Sequence, residues 1–183
     1  MNFILRSSLL IVVMAGSAGC ARFLDAPGGP LQQAASRGDV TAIRQIVGAG
    51  ANVNAADDIG ATALYWAARG GHPVGWHRCG EEAEGRPAVI AALLDLGADP
   101  NAQDRRPQGF GRASGWTPLM VALHHRQFRS ARLLLERGAD PNILSDQGMS
   151  VMAMASVEHA PSELISLIAA KGFTAEKAHR RAD

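Results

Sequence analysis

A five-residue motif recurs along this 183-residue chain and limits what the chain can fold into. It reads Gly-Ala-Asn-Val-Asn at residues 50–54 and Gly-Ala-Asp-Pro-Asn at 97–101 and 138–142, and it is shortened to Gly-Phe at 172–173. Aliphatic residues spaced by three and four precede each copy, which places them on one face of a helix. Glycine supplies the left-handed residue that ends such a helix. The motif therefore predicts four helices that each stop at a glycine.

A second pattern predicts another helix ahead of each of these four. It reads Thr62-Ala63-Leu64, Thr117-Pro118-Leu119 and Ser150-Val151-Met152, and Gly29-Pro30-Leu31 fills the first place. Thr and Ser are favoured at the N-cap of a helix, and proline is favoured at its first position. Recurrent alanines then let neighbouring helices approach closely. Each unit is thus predicted to hold two helices and a polar loop.

These units resemble the ankyrin repeat, whose period is about 33 residues. The resemblance is carried by Thr117-Pro118-Leu119, by the Gly-Ala-Asp-Pro-Asn segments and by the run from Ala67 to His72, and it covers roughly residues 29–173. It implies an all-α fold, an ankyrin-repeat solenoid of about four helix-turn-helix units with short hairpin loops. The units are expected at 30–56, 57–103, 104–144 and 145–173, with 174–183 as a C-terminal cap or tail. The first and last units are atypical, as expected where only one neighbour is stacked.

The composition argues against several classes of function. Eighteen Lys and Arg face 17 Asp and Glu, so we expect no phosphate-driven binding of nucleic acid. Two cysteines are too few for a disulfide scaffold or a four-cysteine zinc site. The chain has no Gly-x-Ser-x-Gly, no phosphate loop and no dinucleotide-binding glycine motif after a strand. We therefore expect neither an enzyme nor a cofactor.

The first residues are interpreted as a targeting segment. Arg6 precedes an apolar run at 9–15, which is too short to span a bilayer, and small residues lead to Cys20. A buried N-terminal helix is the alternative, but it does not explain the small residues before a cysteine. Ser17-Ala18-Gly19-Cys20 resembles the lipobox of bacterial lipoproteins, although that family usually has Leu where Ser17 stands.

The lipobox resemblance implies that residues 1–19 are a signal peptide and that Cys20 carries acyl chains such as palmitate. Because Ala21 rather than Asp follows the cysteine, it also implies the periplasmic space and the outer membrane. Residues 20–29 then form a tether. The alternative is a soluble periplasmic or secreted protein.

Two loops are longer than the repeat requires. Thr62 and Gly97 are 35 residues apart but Thr117 and Gly138 only 21, so the loop at 73–86 carries about 14 extra residues. The hairpin after Asn101 is longer by 8. Long loops in a compact array are usually functional or disordered.

In ankyrin-type units the ends of the first helices and the hairpin tips line a concave face, so the resemblance implies a partner-binding strip there. Its expected members are Arg37, Ile59, Arg69, Arg105, Arg106, Trp116, His124, His125 and Met149, with Glu158 at the far end. Trp116 is interpreted as an aromatic anchor, since Trp and Arg are enriched at interface hot spots, and packing under the long hairpin is its alternative. Tyr65 and Trp66 are expected in the core.

The sequence as a whole predicts a non-catalytic protein-binding module in the bacterial cell envelope, with a protein partner there and an immunity or inhibitor role among its functions. The alternative is a ligand- or metal-binding protein that uses the 73–86 loop and His124 with His125. That loop and the residue before it offer possible zinc ligands: His72, His77, Cys79, Glu81, Glu82 and Glu84. Their spacing matches no strong metal pattern, and we expect no metal.

Overall fold

The computed structural model describes residues 28–70, 86–105 and 114–173, and these contain eight α-helices and no strand. The helices are α1 Pro30–Arg37, α2 Val40–Gly48, α3 Ala63–Arg69, α4 Arg86–Asp95, α5 Pro118–His124, α6 Phe128–Glu136, α7 Val151–Val157 and α8 Ser162–Ala170. They form four units of two helices each, which confirms the predicted fold class. None of these helices is long and apolar enough to cross a membrane.

Several predicted features of the sequence lie outside the described residues. They are the signal peptide at 1–19, Cys20, the tether up to residue 27, the inserted loop as far as residue 85, Arg106 and the tail at 174–183. Their assignments stay predictions.

The predicted helix starts are capped by hydroxyl groups. The side chains of Thr62 and Thr117 each accept a hydrogen bond from the amide three residues on, at 3.3 Å in both cases, and Ser150 does so at 3.1 Å. Each cap satisfies one of the amides that a helix leaves without a partner in its first turn. Gly29, in the equivalent place before α1, has no side chain to do this.

The second helix of each unit ends at a glycine with positive φ, as the motif predicts. After α6, for example, Gly138 has φ +98°, and the amide of Ala139 donates back to the carbonyl of Leu134 at 2.9 Å. The first helices of units three and four end differently. There the residues with positive φ are Arg126 and His159, at 57° and 56°, whereas after α1 the residue with positive φ is Gly38. A side chain in this conformation costs about 1 kcal/mol relative to glycine.

The helices pack in two rows. In one row α1, α3, α5 and α7 contact in sequence, and in the other α2, α4, α6 and α8 do so. The largest fully buried side chains lie on helices of both rows: Ile43, Leu64, Trp66, Val89, Ile90, Leu93, Leu119, Met120, Leu123, Leu134, Leu135 and Ile168. Tyr65 and Trp66 are buried as predicted. Alanines such as Ala67 and Ala122 are fully buried where helices of the first row meet, which is how they allow close packing.

The last Asn of each full motif connects its unit to the next one. Asn54 donates from Nδ2 to the carbonyl of Gly97 at 3.1 Å, while its Oδ1 accepts from the amide of Asp99 at 2.8 Å. Asn101 bonds Gly138 and Asp140 in the same way. Asn142 donates to the carbonyl of Gly172 at 3.2 Å. This asparagine ladder, formed by Asn54, Asn101 and Asn142, sets the spacing of the units.

Candidate protein-binding surface

The hairpin tips between units are joined edge to edge by backbone hydrogen bonds. The amide of Arg105 donates to the carbonyl of Ile59 at 2.8 Å, and the amide of Asp146 donates to the carbonyl of Ser114 at 3.0 Å. Gly60 lies in the first of these contacts with φ +72°, and a Cβ on it would lie 2.7 Å from the Arg105 nitrogen. Glycine is therefore required there both for its conformation and for the close approach. The described residues of the three hairpins are therefore joined in sequence along the array.

In each of these hairpins a buried or half-buried side-chain oxygen accepts hydrogen bonds from backbone amides of the same hairpin. Oδ1 of Asp57 accepts from the amides of Ile59 and Ala61, at 3.1 and 2.9 Å. In unit three Oδ1 of Asp104, which is 2% exposed, accepts from the amide of Trp116 at 2.8 Å. Unit four uses the hydroxyl of Ser145 in the same place. Sequence reasoning missed these residues, although the spacing from Asp57 to Gly60 was the available signal.

Gln103 fastens the neighbouring hairpins of units three and four. Its Nε2 donates to the carbonyl of Gly115 at 2.6 Å and to that of Leu144 at 3.0 Å. One side chain thus connects both hairpins, which adds to the backbone bond between Ser114 and Asp146. The long hairpin of unit three is held at its two ends even though it is longer than its neighbours.

Four residues of the predicted strip lie along this edge and at the ends of the first helices. Arg37 is exposed at the end of α1, where its Nη2 donates to Oε1 of Gln33 at 3.0 Å. Arg69 ends α3, and its guanidinium lies 5.1 Å from the centre of the Trp66 ring. Arg105 is exposed and Ile59 half-buried on adjoining tips. The structure therefore brings Ile59 and Arg105 together and places the other two at the C-terminal ends of α1 and α3.

The rest of the strip meets at the junction of units three and four. The rings of Trp116 and His124 are 4.9 Å apart edge to face, and those of His124 and His125 are 5.2 Å apart. Nδ1 of His124 is 3.1 Å from Oε1 of Glu158, so this hydrogen bond connects α5 with the end of α7. Met149, on the next hairpin tip, is 39% exposed.

Trp116 is only 7% exposed and belongs to the hydrophobic core. Its ring packs on His124, so it does not project into solvent as the aromatic anchor that the sequence suggested. The burial favours a packing role for Trp116, but hairpin residues 106–113 lie outside the described residues, so packing under the long hairpin stays a prediction. The backbone at Trp116 is held by the bond of its amide to Oδ1 of Asp104, and its ring packs in the core against His124.

The metal alternative depends on residues that the structure does not describe, namely His72, His77, Cys79 and the glutamates of the 73–86 loop. Within the three described ranges no group of three or more His, Cys, Asp or Glu could hold a metal ion. A cleft of about 410 Å³ lies at the other end of the array, lined by residues such as Pro30, Gln32, Ile46 and Asp58. It contains no member of the predicted strip.

Comparison with known proteins gives matches over most of the chain. A family model described as ankyrin repeats in three copies matches residues 77–178, and one described as ankyrin repeats in many copies matches 31–74. The ankyrin repeat protein nuc-2 of Neurospora crassa is 30% identical over 129 residues, which are 70% of this chain and 10% of that protein. The chain thus spans about a tenth of the length of this curated relative.

Proposed function

This chain belongs to the ankyrin-repeat family, and from that premise we propose that it is a non-catalytic protein-binding module held in the bacterial cell envelope by a lipid on Cys20. Ankyrin repeats indicate a protein-binding module, and both family models that are reported above describe ankyrin repeats. The partner, in our proposal, is an envelope protein that the concave strip and the two loop extensions bind stoichiometrically. A toxin that the chain neutralises, a periplasmic enzyme or an envelope assembly each fits this mode.

One observation carries the proposal: described residues of adjacent hairpins are joined by backbone hydrogen bonds. The bonds between Ile59 and Arg105 and between Ser114 and Asp146 order these parts of the surface without a partner. A surface that is already ordered loses less conformational entropy on binding, so more of its contact energy appears as affinity.

The side chains along the edge fit a protein partner. Arg37 and Arg105 supply exposed positive charges, while Ile59 and Met149 supply apolar surface on the hairpins. Charges at a rim act mainly on the association rate and on its salt dependence, whereas apolar centres govern dissociation. Trp116 contributes indirectly, since its ring packs edge to face against the ring of His124.

The experiment is affinity capture of the partner from envelope extract with the full-length protein, followed by titration of the identified partner. Arg37→Glu combined with Arg105→Glu is expected to weaken binding at least tenfold at low salt, because both charges face the partner. The matched control combines Arg44→Glu with Arg132→Glu, two exposed arginines of the other helix row, and should stay within twofold.

Melting curves of all three proteins check that the fold is kept. Equal losses of affinity in both double variants would contradict the proposed surface. So would undiminished binding of the Arg37 and Arg105 variant, provided that it melts like the wild type.

A further inference from the structure

The cleft at the start of the array lies on a side of unit one that the later units bury. Its wall includes Pro30 of α1, Ile46 of α2 and Ala51 of the motif. Pro30 and Ala51 are exposed, and Ile46 is half-buried. In units two to four the equivalents of Pro30 and of Ile46 are buried, where each row of helices stacks on the preceding unit: Ala63, Pro118 and Val151, and Leu93, Leu134 and Ile168. The cleft therefore occupies the place where a preceding repeat would stack.

The cleft also carries negative charge on its hairpin side, where Asp57 and Asp58 line it. Both carboxylate oxygens of Asp57 already accept hydrogen bonds, from the amides of Ile59 and Ala61 and from the indole of Trp66. Asp58 is exposed. A segment that fills the cleft is thus expected to be apolar and to place a positive charge beside Asp58.

The chain enters the described structure at this cleft. Gly28 and Gly29 line it, and a Cβ on Gly28 would lie 3.1 Å from the Cβ of Asp57. The residues before Gly28 lie outside the described part of the chain and read Ala-Arg-Phe-Leu-Asp-Ala-Pro at 21–27, an arginine followed by two large apolar residues. Phe23 is five residues before Gly28, a span of at most about 18 Å, so its side chain is within reach of the cleft.

We propose that Phe23 and Leu24 fill this cleft and that Arg22 pairs with Asp58, so that the segment covers unit one in place of a preceding repeat. Burial of two large apolar side chains against the wall at Ile46 drives the contact. The segment is joined directly to the cleft, so its effective concentration there exceeds that of a separate peptide or of a second copy of the chain.

For the lipid on Cys20, which belongs to the proposed function, docking shortens the free tether. Cys20 and Phe23 are three residues apart, which is at most about 11 Å of extended chain. A free tether from Cys20 to Gly28 has eight steps and reaches at most about 29 Å. A docked segment therefore holds unit one close to the membrane.

Thiol labelling of the detergent-solubilised full-length protein tests the docking. In a Cys79→Ser background, Ile46→Cys places a thiol in the cleft, and peptide mass spectrometry locates the label. Phe23→Ser combined with Leu24→Ser is expected to speed labelling at residue 46 at least tenfold, because the cleft is then uncovered. Ala51→Cys, on the exposed wall of the cleft, gives the same readout without altering a half-buried side chain.

Two matched controls separate uncovering from a general change of the protein. Thr41→Cys on α2 should label at one rate with or without Phe23 and Leu24. Thr41 does not line the cleft, and it is exposed, as are its equivalents in the other units: Ala88, Arg129 and Glu163. Ala21→Ser with Ala26→Ser adds the same two hydroxyls to the segment and should leave labelling at residue 46 within twofold.

A charge exchange tests the ion pair. Arg22→Asp is expected to speed labelling at residue 46 about two- to fivefold, a small effect because an exposed ion pair contributes little. Adding Asp58→Arg should restore the slow rate. An Arg22→Asp protein that the exchange does not rescue contradicts the pairing of Arg22 with Asp58.

Equal labelling rates at residue 46 with and without Phe23 and Leu24 overturn the docking, whether both rates are fast or slow. Circular dichroism melts confirm that each cysteine variant is folded before labelling. The test requires neither acyl chains nor an envelope partner. Slow labelling that depends on Phe23 and Leu24 in a protein without lipid supports the docking and refutes the anchor, whereas fast labelling in a lipidated protein refutes the docking and supports the anchor.

Discussion

Trp66 and Trp116 are both buried, but only one of them has a partner for its indole N–H among the described residues. Nε1 of Trp66 donates to Oδ2 of Asp57 at 2.7 Å, whereas Nε1 of Trp116 is buried without an acceptor. A hydrogen bond to a charged group contributes about 1.5–3 kcal/mol, and a buried donor without a partner costs about 1–3 kcal/mol. The two side chains are therefore expected to respond differently to the same substitution.

Trp66→Phe should lower the free energy of unfolding by about 2–3 kcal/mol, because the Asp57 carboxylate loses its donor. Trp116→Phe should cost less than about 1 kcal/mol, since the lost ring area is offset by removal of the unpaired N–H. Urea denaturation of both variants under one set of conditions measures the difference. Each variant is the other's control, because the volume removed is the same, and equal costs would contradict the assignment.

At the scale of the secondary-structure element, the beginning of α4 is fixed by its own first residue. Arg86 is 5% exposed, and its Nη1 donates to the carbonyls of Ser36 at 2.7 Å and Ala35 at 3.3 Å. These carbonyls lie at the C-terminal end of α1, where a positive charge is favourable. Burial lowers the pKa of Arg86, because desolvation penalises the charged form. The first residue of α4, which follows the inserted loop, is therefore bonded to the C-terminal end of α1 in unit one.

Arg86→Met should lower the free energy of unfolding by about 2–3 kcal/mol, because carbonyls at the end of α1 lose their charged donor while the side-chain volume is nearly kept. The control is Arg132→Met on α6, an exposed arginine paired with Glu136 in its own helix, which should cost less than about 0.5 kcal/mol. Denaturant titration monitored by circular dichroism measures both. A loss for Arg86→Met as small as that of the control would show that the contact contributes nothing.

The helices could be predicted from the sequence because their signals are local. Each signal lies within one or two turns of the helix that it defines. Examples are the hydroxyl caps at Thr117 and Ser150 and the aliphatic stripe around Leu134. The contact of Arg86 could not be predicted, since its partners are 50 and 51 residues away in the sequence and no local pattern connects them. The sequence offered burial of Trp116 only as the alternative, because that burial depends on contacts distant in sequence, such as the bond of its amide to Asp104, 12 residues away.

On the scale of the whole molecule, the proposed attachment to the envelope depends on Cys20, which lies outside the described part of the chain. A lipoprotein cysteine carries several acyl chains, and each buried CH₂ adds about 0.8 kcal/mol of membrane affinity. The 18 basic and 17 acidic side chains nearly balance, so an overall positive charge would not hold the chain on a membrane in place of that anchor.

Wild-type protein should therefore sediment with membranes and show the added mass of its acyl chains by mass spectrometry. Cys20→Ala should move the protein to the soluble periplasmic fraction, because the acylated thiol is removed. Cys79→Ala removes the other cysteine and should leave the protein with the membranes. An intact wild-type mass without lipid would refute the anchor, whichever fraction contains the protein.

The asparagine ladder also bears on how such a gene can change in length. Each internal unit presents a glycine carbonyl and an amide to the asparagine before it, and it supplies the asparagine for the unit after it. An in-frame duplication that starts and ends at equivalent asparagines would restore both sets of bonds at the new junctions. A duplication cut elsewhere would leave an asparagine or a glycine carbonyl without its partner. Recombination can therefore add whole repeats, and copy number can drift between related genes without a new fold having to arise.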